Sequence, residues 1–305
     1  MRKSLTLLAV ASLVLGGLFA GAGSAQAKGV VKFDAQKGCV PILGFAPTDS
    51  TRLNGMPDAT THEHMFWGNP VPVGNNTVTY DDATAIGPNS CATQPDDRAG
   101  EWMPALCTDS TCTTKITAAH PLVYYRCMGG INNGCPNTQE IPADARLISN
   151  HYNWTCGQHS GAGATPVQEI PDCAKYNVTN KPGDVLTFHN IFQDCWDGLL
   201  NDHTVPGDIN DNNHFTWSVA KKCPAEFPIP VTQVKYAVQL PVPFGTDYSQ
   251  LILSSDVQEG TVHGLSAHGD YSQWWLKSTK NPGHTVLLDF LQKCVIPAQQ
   301  AAGCG

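Results

Sequence analysis

The stretch VTQVKYAVQL, residues 231–240, decides the fold class of this chain. Val234, Tyr236, Val238 and Leu240 recur at every second position, with polar or small residues between them. Successive side chains of a β-strand point to opposite faces of its sheet. The pattern therefore predicts a strand with one face turned towards a core.

Other segments have the same strand character. β-branched and aromatic residues are concentrated in four further runs, which we interpret as strands: residues 120–127 (HPLVYYRC), 184–192 (DVLTFHNIF), 214–223 (HFTWSVAKKC) and 249–256 (SQLILSSD). The 22 prolines and 28 glycines are spread along the chain. This distribution favours short strands joined by turns over long helices.

Two segments near the C-terminus have helical features. In HTVLLDFLQKC, residues 284–294, apolar side chains follow helical spacing and prolines lie on both sides. We interpret DYSQWWLKS, residues 270–278, as a second short helix, and the turn- and cysteine-rich segment 75–120 as a cross-linked excursion. We therefore predict a mainly β fold: a β-sandwich-like core with long disulfide-linked loops and a few short helices, including one near the C-terminus.

The first 27 residues have the three parts of a secretory signal peptide. Arg2 and Lys3 precede the apolar run LTLLAVASLVLGGLFAGAG, and AQA at residues 25–27 is a small-x-small cleavage site. We expect residues 1–27 to be removed and residues 28–305 to form a single secreted domain, monomeric and without a membrane span. Cleavage changes the formal net charge from −8 to −10. An acidic chain without a Lys/Arg cluster is not expected to bind nucleic acid.

All twelve cysteines lie after the predicted cleavage site. An even number in an exported chain indicates disulfides, and the absence of a C-x-x-C pair argues against a zinc ribbon or a thiol redox site. A cysteine nucleophile is disfavoured because the thiols are expected to be paired. Sequence does not fix the pairing, but three local pairs are the ones we favour: Cys107–Cys112, Cys127–Cys135 and Cys195–Cys223.

Three short polar segments carry the candidate chemistry. The first is THEHMFWGN, residues 61–69, in which His62 and His64 are two positions apart. In an extended backbone these two imidazoles share a face and can converge on one metal ion, while Glu63 points the other way. A hydrogen-bonded surface pair is the alternative interpretation.

The second segment is NDHTVPGDINDNNHF, residues 201–215, with His203 and His214. Its Asp/Asn run invites a calcium interpretation. An EF-hand loop would need Gly and Glu where the chain has Asn213 and Val219, so that motif fails. Polar turns or a different calcium loop explain the run, and the two histidines stay candidate ligands.

The third segment is HGLSAHGDY, residues 263–271, in which His268 and Asp270 are also two positions apart. A carboxylate beside an imidazole can orient it or act as a general base. A glycine-rich connector is the alternative. GLSAH is similar to a nucleophile elbow, but His268 stands where the last glycine belongs and Ser266 lacks the strand–elbow–helix context, so a serine hydrolase is disfavoured.

Tryptophans supply a second functional signal. Several lie beside the histidine segments, where indole faces could stack on sugar rings; packing in the core is the competing explanation. The seven are Trp67, Trp102, Trp154, Trp196, Trp217, Trp274 and Trp275.

With these motifs identified, the chain resembles a large, uncharacterised family of secreted actinobacterial and fungal proteins. It is a domain of unknown function that in fungi is often joined to WSC or cellulose-binding modules. The pieces that carry the resemblance are THEHMFWGN, EWMPAL, VYYRC, NIFQDCWDG, NDH…NNHFTW, KKCPAEFPIPV and HGLSAHGDYSQWW. The chain departs from the family at Thr61, where a serine or other small residue is usual, and in the inserted VPGDINDN. The resemblance implies a shared fold and a shared site, but no settled reaction.

We predict an enzyme that acts on polysaccharide or cell-wall glycan through a His/Asp cluster. Five histidines are the candidate metal ligands, expected to line one cleft: His62, His64, His203, His214 and His268. A subset of them would hold a divalent metal, zinc or copper. Asp270, Asp197 and His268 are the candidate catalytic residues, with an aspartate as general base or as the group that orients a ligand.

Three alternatives compete with this prediction. One is a non-catalytic carbohydrate- or cell-wall-binding protein in which the tryptophans supply affinity. Another is a copper redox protein, because an H-x-H pair with a distant histidine suits copper as well as zinc. The last is a metal-free glycosidase that uses two of Asp197, Asp202 and Asp270.

Overall fold

The computed structural model describes residues 30–34, 44–47, 62–69, 79–85, 96–126, 138–157, 167–173, 185–199, 214–243 and 245–291. All structural statements below concern these residues. The predicted signal peptide, the Cys127–Cys135 pair and His203 lie outside them.

The described residues form fifteen short β-strands, three short α-helices and one 3-10 helix at Tyr248–Gln250. The strands are β1 (Val30–Asp34), β2 (Gly44–Ala46), β3 (His64–Gly68), β4 (Gly100–Pro104), β5 (Leu106–Cys107), β6 (His120–Arg126), β7 (Arg146–Ser149), β8 (Tyr152–Cys156), β9 (Val185–Ile191), β10 (Cys195–Trp196), β11 (Phe215–Thr216), β12 (Ile229–Pro230), β13 (Gln233–Pro241), β14 (Ile252–Leu253) and β15 (Gly269–Ser272). The helices are α1 (Tyr80–Ala85), α2 (Ser254–Glu259) and α3 (Val286–Phe290). The predicted mainly β class is confirmed.

Two five-stranded antiparallel sheets dominate the described chain. The first has the order β1-β6-β13-β9-β8, and the second has the order β2-β3-β4-β15-β7. Two smaller antiparallel pieces, β11-β10-β12 and β14-β5, complete the set of sheets. Each five-stranded sheet also pairs strands that are far apart in the chain, such as β6 with β13 and β4 with β15, so both sheets depend on long-range pairing.

The alternating apolar residues of segment 231–240 are buried, as predicted. Val234, Tyr236, Val238 and Leu240 are wholly buried in the main apolar cluster. The Tyr236 ring lies 5.3 Å from the Trp67 ring of the second sheet, and its hydroxyl donates to the backbone oxygen of Asp270 at 2.7 Å. The two large sheets therefore face each other across one core, as in a sandwich.

One acidic side chain lies inside this core. Glu101 of β4 is buried, and burial raises its pKa well above the ordinary value, with the nearby Asp97 raising it further. Gly68 lies against it with φ +79°, and a Cβ at that position would overlap the Glu101 carboxylate. Glycine is therefore needed there both for its conformation and for space.

Two sequence predictions are wrong because both segments contain strands of the second sheet. The segment DYSQWW is extended, because Gly269–Ser272 forms β15 between β4 and β7. Trp274 and Trp275 are consecutive but are buried in different apolar clusters. Successive side chains of an extended backbone point to opposite faces in this way. The expected excursion at 75–120 contains β4, a wholly buried strand of the second sheet.

The helix predicted near the C-terminus is present as α3. Its N-terminal cap is Thr285, whose side chain accepts from the Leu287 amide at 3.3 Å. Glu140 accepts from the backbone amides of Thr285 and Leu288 and so anchors the helix start to a distant loop. Carboxylates are favourable at helix N-termini, where the backbone N–H groups lack helical partners.

Three disulfides join described cysteines. Cys107–Cys112 and Cys195–Cys223 are the pairs favoured from the sequence, and Cys156–Cys173 is a third that the sequence did not indicate. Every described cysteine is paired. The disulfides fit an oxidising compartment.

Candidate metal centre

The H-x-H segment leads into β3 as an extended chain. His64, the first residue of β3, is wholly buried, and His62 is partly buried two positions earlier. Glu63 points away from both and pairs through Oε2 with Lys115 Nζ at 2.8 Å. The shared face predicted for the two histidines therefore follows from strand alternation.

Sheet pairing brings the third segment to the same place. Trp102 of β4 lies opposite Phe66 of β3 on one side and opposite Asp270 of β15 on the other. β4 therefore lies between β3 and β15. His268, which immediately precedes β15, lies beside the start of β3. More than two hundred residues of chain separate the histidines that this pairing joins.

The three imidazoles converge through their Nε2 atoms. His268 Nε2 lies 3.2 Å from His62 Nε2 and 3.3 Å from His64 Nε2, and one ligand atom from each ring lies within 4.8 Å of the others. Two nitrogens bound at about 2.0–2.1 Å to one tetrahedral zinc ion lie about 3.3–3.4 Å apart. The observed spacing is the spacing that a shared metal ion requires.

Hydrogen bonds on the opposite ring nitrogens fix how two of the imidazoles present Nε2. His268 Nδ1 lies 2.9 Å from the carbonyl oxygen of Ser266, and His62 Nδ1 lies 2.8 Å from Oε1 of Gln258. Both oxygens accept only, so each Nδ1 carries the proton and each neutral ring offers an Nε2 lone pair to the centre. Lone pairs that face each other at this distance repel unless a cation lies between them.

Asp270 adds a negative charge beside the group. Its Oδ2 atom lies 3.6 Å from His64 Nε2 and 3.7 Å from His268 Nε2, and the side chain is 1% exposed. A buried carboxylate next to convergent imidazole nitrogens favours a cation at this position. Asp270 can therefore be a further ligand or a neutralising neighbour of the metal.

Helix α2 and the loop after it support the site from one side. Asp256 accepts from Ser266 Oγ at 2.6 Å, from the Ser266 amide at 3.0 Å and from the Gly264 amide at 2.7 Å. Burial alone would raise the pKa of Asp256, but hydrogen bonds, first those from Ser266, then Leu253 and Gly264, hold it below the ordinary value. The ionised Asp256 thus holds the loop that carries His268.

A cavity of about 260 Å³ opens beside two of the histidines. His62 and His268 form part of its wall; the other lining residues are Ile148, Asn150, Glu259, Leu265, Ser266 and Ala267. No lysine or arginine occurs among these residues. The cavity therefore offers a mixed apolar and polar wall with negative rather than positive charge.

Of the five histidines expected at one cleft, His62, His64 and His268 form the group, and His203 lies outside the described residues. His214 is described, but it lies on the small sheet, where its Nδ1 contacts Asp197 Oδ2 at 2.7 Å, and it is not part of the three-histidine group. The pairing of Trp196 with Phe215 places their chain neighbours Asp197 and His214 side by side. Local strand pairing thus holds Asp197 and His214 together, although we expected both at the metal site.

Five tryptophans are packing residues rather than sugar platforms. All seven are described, and five are fully buried: Trp67, Trp102, Trp154, Trp274 and Trp275. Trp196 and Trp217 are only partly buried. The Trp217 indole N–H donates to the Ile191 oxygen at 3.4 Å, and its ring lies 5.7 Å from the ring of His151, the residue after the cavity-lining Asn150.

Sequence reasoning missed the supporting residues of α2. Asp256, Gln258 and Glu259 carry no motif. Asp256 contacts the nearby Gly264 and Ser266, whereas Gln258 contacts His62 across the fold. A helix start and stop were readable in SSDVQEG, because Asp256 accepts from the Leu253 amide at the helix start and Gly260 ends the helix with φ +69°. Those signals predict a helix but not what it touches.

Residues 54–275 match the family described as a domain of unknown function, DUF1996. The chain belongs to this family. The match spans all three histidines of the group and Asp270, which agrees with the uncharacterised family that the sequence motifs resemble. No curated protein and no solved structure matches the chain. Within the part of the chain that the structure describes, no helix has the length and apolar character needed to cross a membrane.

Proposed function

We propose that this DUF1996 protein is an exported, metal-dependent hydrolase that acts on polysaccharide or cell-wall glycan. His62, His64 and His268 hold one divalent ion, with zinc as the first choice. The observation that carries the proposal is the convergence of three Nε2 atoms at metal-ligand spacing. The fixed Nδ1 hydrogen bonds of two of these rings support it further.

The arrangement favours a catalytic over a purely structural ion. Structural zinc sites are closed by four protein ligands, whereas catalytic sites keep a position open for water or substrate. With three imidazole ligands and Asp270 as a neutralising neighbour, one position stays open, and His62 and His268 border the cavity, so an ion between the imidazoles has an approach from that side. Such an ion lowers the pKa of a bound water towards about 7 and polarises a substrate oxygen.

A glycan substrate is supported by the surroundings of the cavity. Its wall combines apolar faces with amide, hydroxyl and carboxylate groups, which suits a neutral polyhydroxy compound. Trp217 and His151 form an aromatic pair, and His151 directly follows the cavity-lining Asn150 in the chain. Both aromatic rings and hydrogen-bonding groups are needed to hold a sugar, which has apolar faces and polar edges.

Metal analysis of the purified mature protein tests the proposal. We expect about one equivalent of zinc in the wild type and none in the His64→Ala/His268→Ala double variant. His214→Ala is the matched control, because it removes an imidazole outside the group and should keep the metal. Zinc that binds in no preparation, or that survives in the double variant, would contradict the proposal.

A second candidate function is non-catalytic glycan binding, and the partly buried Trp217 favours it. In that case the protein would hold a polysaccharide on an insoluble-glycan pull-down without metal. Binding that is unchanged in the double histidine variant, together with no hydrolysis of any glycan, would favour this candidate.

A further inference from the structure

We infer that the bond cleaved is an acyl ester or amide on a glycan, not a glycosidic bond, and that Glu259 transfers the proton to the leaving group. This inference rests on the proposed metal-dependent function. It names the electrophile and adds a catalytic residue that the sequence did not indicate.

The carboxylates at the site do not fit glycosidic cleavage. Glycosidases place two carboxyl groups on either side of the scissile bond, one as acid and one as base or nucleophile. Asp270 is 1% exposed, and its Oδ2 faces the Nε2 atoms of two histidines. Glu259 is the one carboxylate among the described residues that line the cavity. One carboxyl group cannot fill both roles.

An acyl group suits the same site. Its carbonyl oxygen can approach a Lewis-acidic ion, which polarises the carbon for attack by water and stabilises the negative charge that develops. The acetal carbon of a glycosidic bond has no such oxygen, and its cleavage depends on protonation of the leaving oxygen. A centre built from imidazoles is therefore better matched to an acyl carbon.

The cavity also accommodates an acyl group on a sugar. Ile148, Leu265 and Ala267 supply apolar wall for a short acyl chain, and Asn150 supplies an amide that can bond to sugar hydroxyls or the carbonyl. Leu265 is 45% exposed, so this apolar wall reaches the surface. The volume of about 260 Å³ is sufficient for a short acyl group such as acetyl.

The proton balance assigns Glu259 its role. Water attacks the carbonyl carbon and forms a new C–O bond, and the Glu259 carboxylate takes the proton that the water loses. The bond from the acyl carbon to the sugar oxygen or nitrogen then breaks, and Glu259 passes its proton to that leaving atom. The products are the free carboxylic acid and the sugar hydroxyl or amine, with no oxidant or other co-reactant.

Acetylated xylan and p-nitrophenyl acetate are the probes for the zinc-loaded protein. We expect the wild type to release acetate from the xylan without new reducing ends. Glu259→Gln should lower kcat on the xylan by about 100-fold or more, with zinc content and KM retained. It should lower p-nitrophenyl acetate hydrolysis by a smaller factor, because p-nitrophenolate departs without a proton and that substrate needs Glu259 only to take the proton of the attacking water. Glu226→Gln, which changes an exposed glutamate away from the cavity lining, is the control.

The outcomes separate this inference from the function on which it rests. New reducing ends without acetate, from a protein that holds zinc, would overturn the acyl assignment and leave the metal-dependent hydrolase intact. Equal loss on both substrates would overturn the transfer of a proton from Glu259 to the leaving group, and no loss on either would overturn any catalytic role of Glu259. Absence of zinc from every preparation would instead remove the proposed function itself.

Discussion

The Nε2 atoms of His64 and His268 lie 3.3 Å apart, although 204 residues separate these histidines in the chain. Three antiparallel strands, β3, β4 and β15, produce that distance by placing the two segments in one sheet. The relationship thus depends on the register of the second sheet rather than on any flexible loop alone. A register shift of one residue would turn His64 to the opposite face.

Gln258 should tune the affinity of the site for metal. Its Oε1 atom accepts from His62 Nδ1 at 2.8 Å, which fixes the ring and increases the basicity of Nε2. We expect Gln258→Ala to weaken zinc binding by about 10–100-fold and Gln258→Glu to retain or strengthen it. A competition titration with a chromophoric chelator measures both.

Gln250→Ala is the matched control for Gln258, because Gln250 is also exposed and its side chain donates to the neighbouring Ser249 rather than to a residue of the site. Since Gln258 is exposed, its replacement should leave the free energy of unfolding nearly unchanged. Equal zinc affinity in Gln258→Ala and the wild type would show that this contact has no influence on the ion.

Asp256 should stabilise the loop that carries His268. In Asp256→Asn one acceptor oxygen becomes an NH₂ group, which faces the Gly264 amide if it replaces Oδ2 or the Ser266 amide if it replaces Oδ1. We expect the free energy of unfolding to fall by about 2–3 kcal/mol, measured by urea denaturation of the metal-free protein. Asp109→Asn is the control: Asp109 caps a turn through Thr111, but that turn is at the surface.

The effect of Asp256→Asn should depend on pH. Because the folded state holds the pKa of Asp256 below its ordinary value, the carboxylate stabilises the fold above the unfolded pKa of about 3.9. That contribution is lost as the pH falls through the folded value. The difference between wild type and variant should therefore shrink on acidification from pH 7; a constant difference would contradict this assignment.

Glu101 should make the fold less stable at higher pH. Burial raises its pKa, so the folded protein keeps the proton while the unfolded chain releases it above about pH 4.3. Stability contributed by the protonated form is complete below that value and declines as the pH rises towards the folded pKa. Glu101→Gln removes this titration and should flatten the dependence of unfolding free energy on pH between 4 and 8. Parallel curves for wild type and variant would exclude the effect.

The sequence predicted local geometry well at this site. Period-two spacing correctly gave His62 and His64 a common face, and the alternation of residues 231–240 identified a strand of the central core. These inferences depend only on neighbouring positions along one strand. For the same reason two local disulfides could be favoured in advance, whereas Cys156–Cys173 could not.

What the sequence could not supply is which segments meet. Asp270 and His214 have similar polar surroundings in the sequence, yet β15 joins the first to the histidine group and the pairing of β10 with β11 holds the second beside Asp197. Sheet order is a property of long-range pairing, and Gln258 of α2 reaches His62 only through it. Strand and helix were also confused at Trp274 because two consecutive aromatic residues fit either pattern.

Trp217 should contribute to glycan affinity. Stacking on a sugar face would bury about 60 Å² of apolar surface, worth about 1.5 kcal/mol or about tenfold in affinity. We expect Trp217→Ala to weaken binding to an insoluble glycan about tenfold and Trp217→Phe to retain most of it, since a phenyl ring preserves an aromatic face. Depletion assays with increasing amounts of the glycan measure the change.

Trp196→Ala is the comparison for that loss. Trp196 is also partly buried, but its ring stacks on Phe215 at 6.2 Å between centroids, within the small sheet. A glycan platform specific to Trp217 predicts that removing the Trp196 indole leaves affinity unchanged in a folded protein, as verified by circular dichroism. Equal losses in both variants would mean that Trp217 acts through the stability of the small sheet. In that case the aromatic pair of Trp217 and His151 would no longer support a glycan substrate.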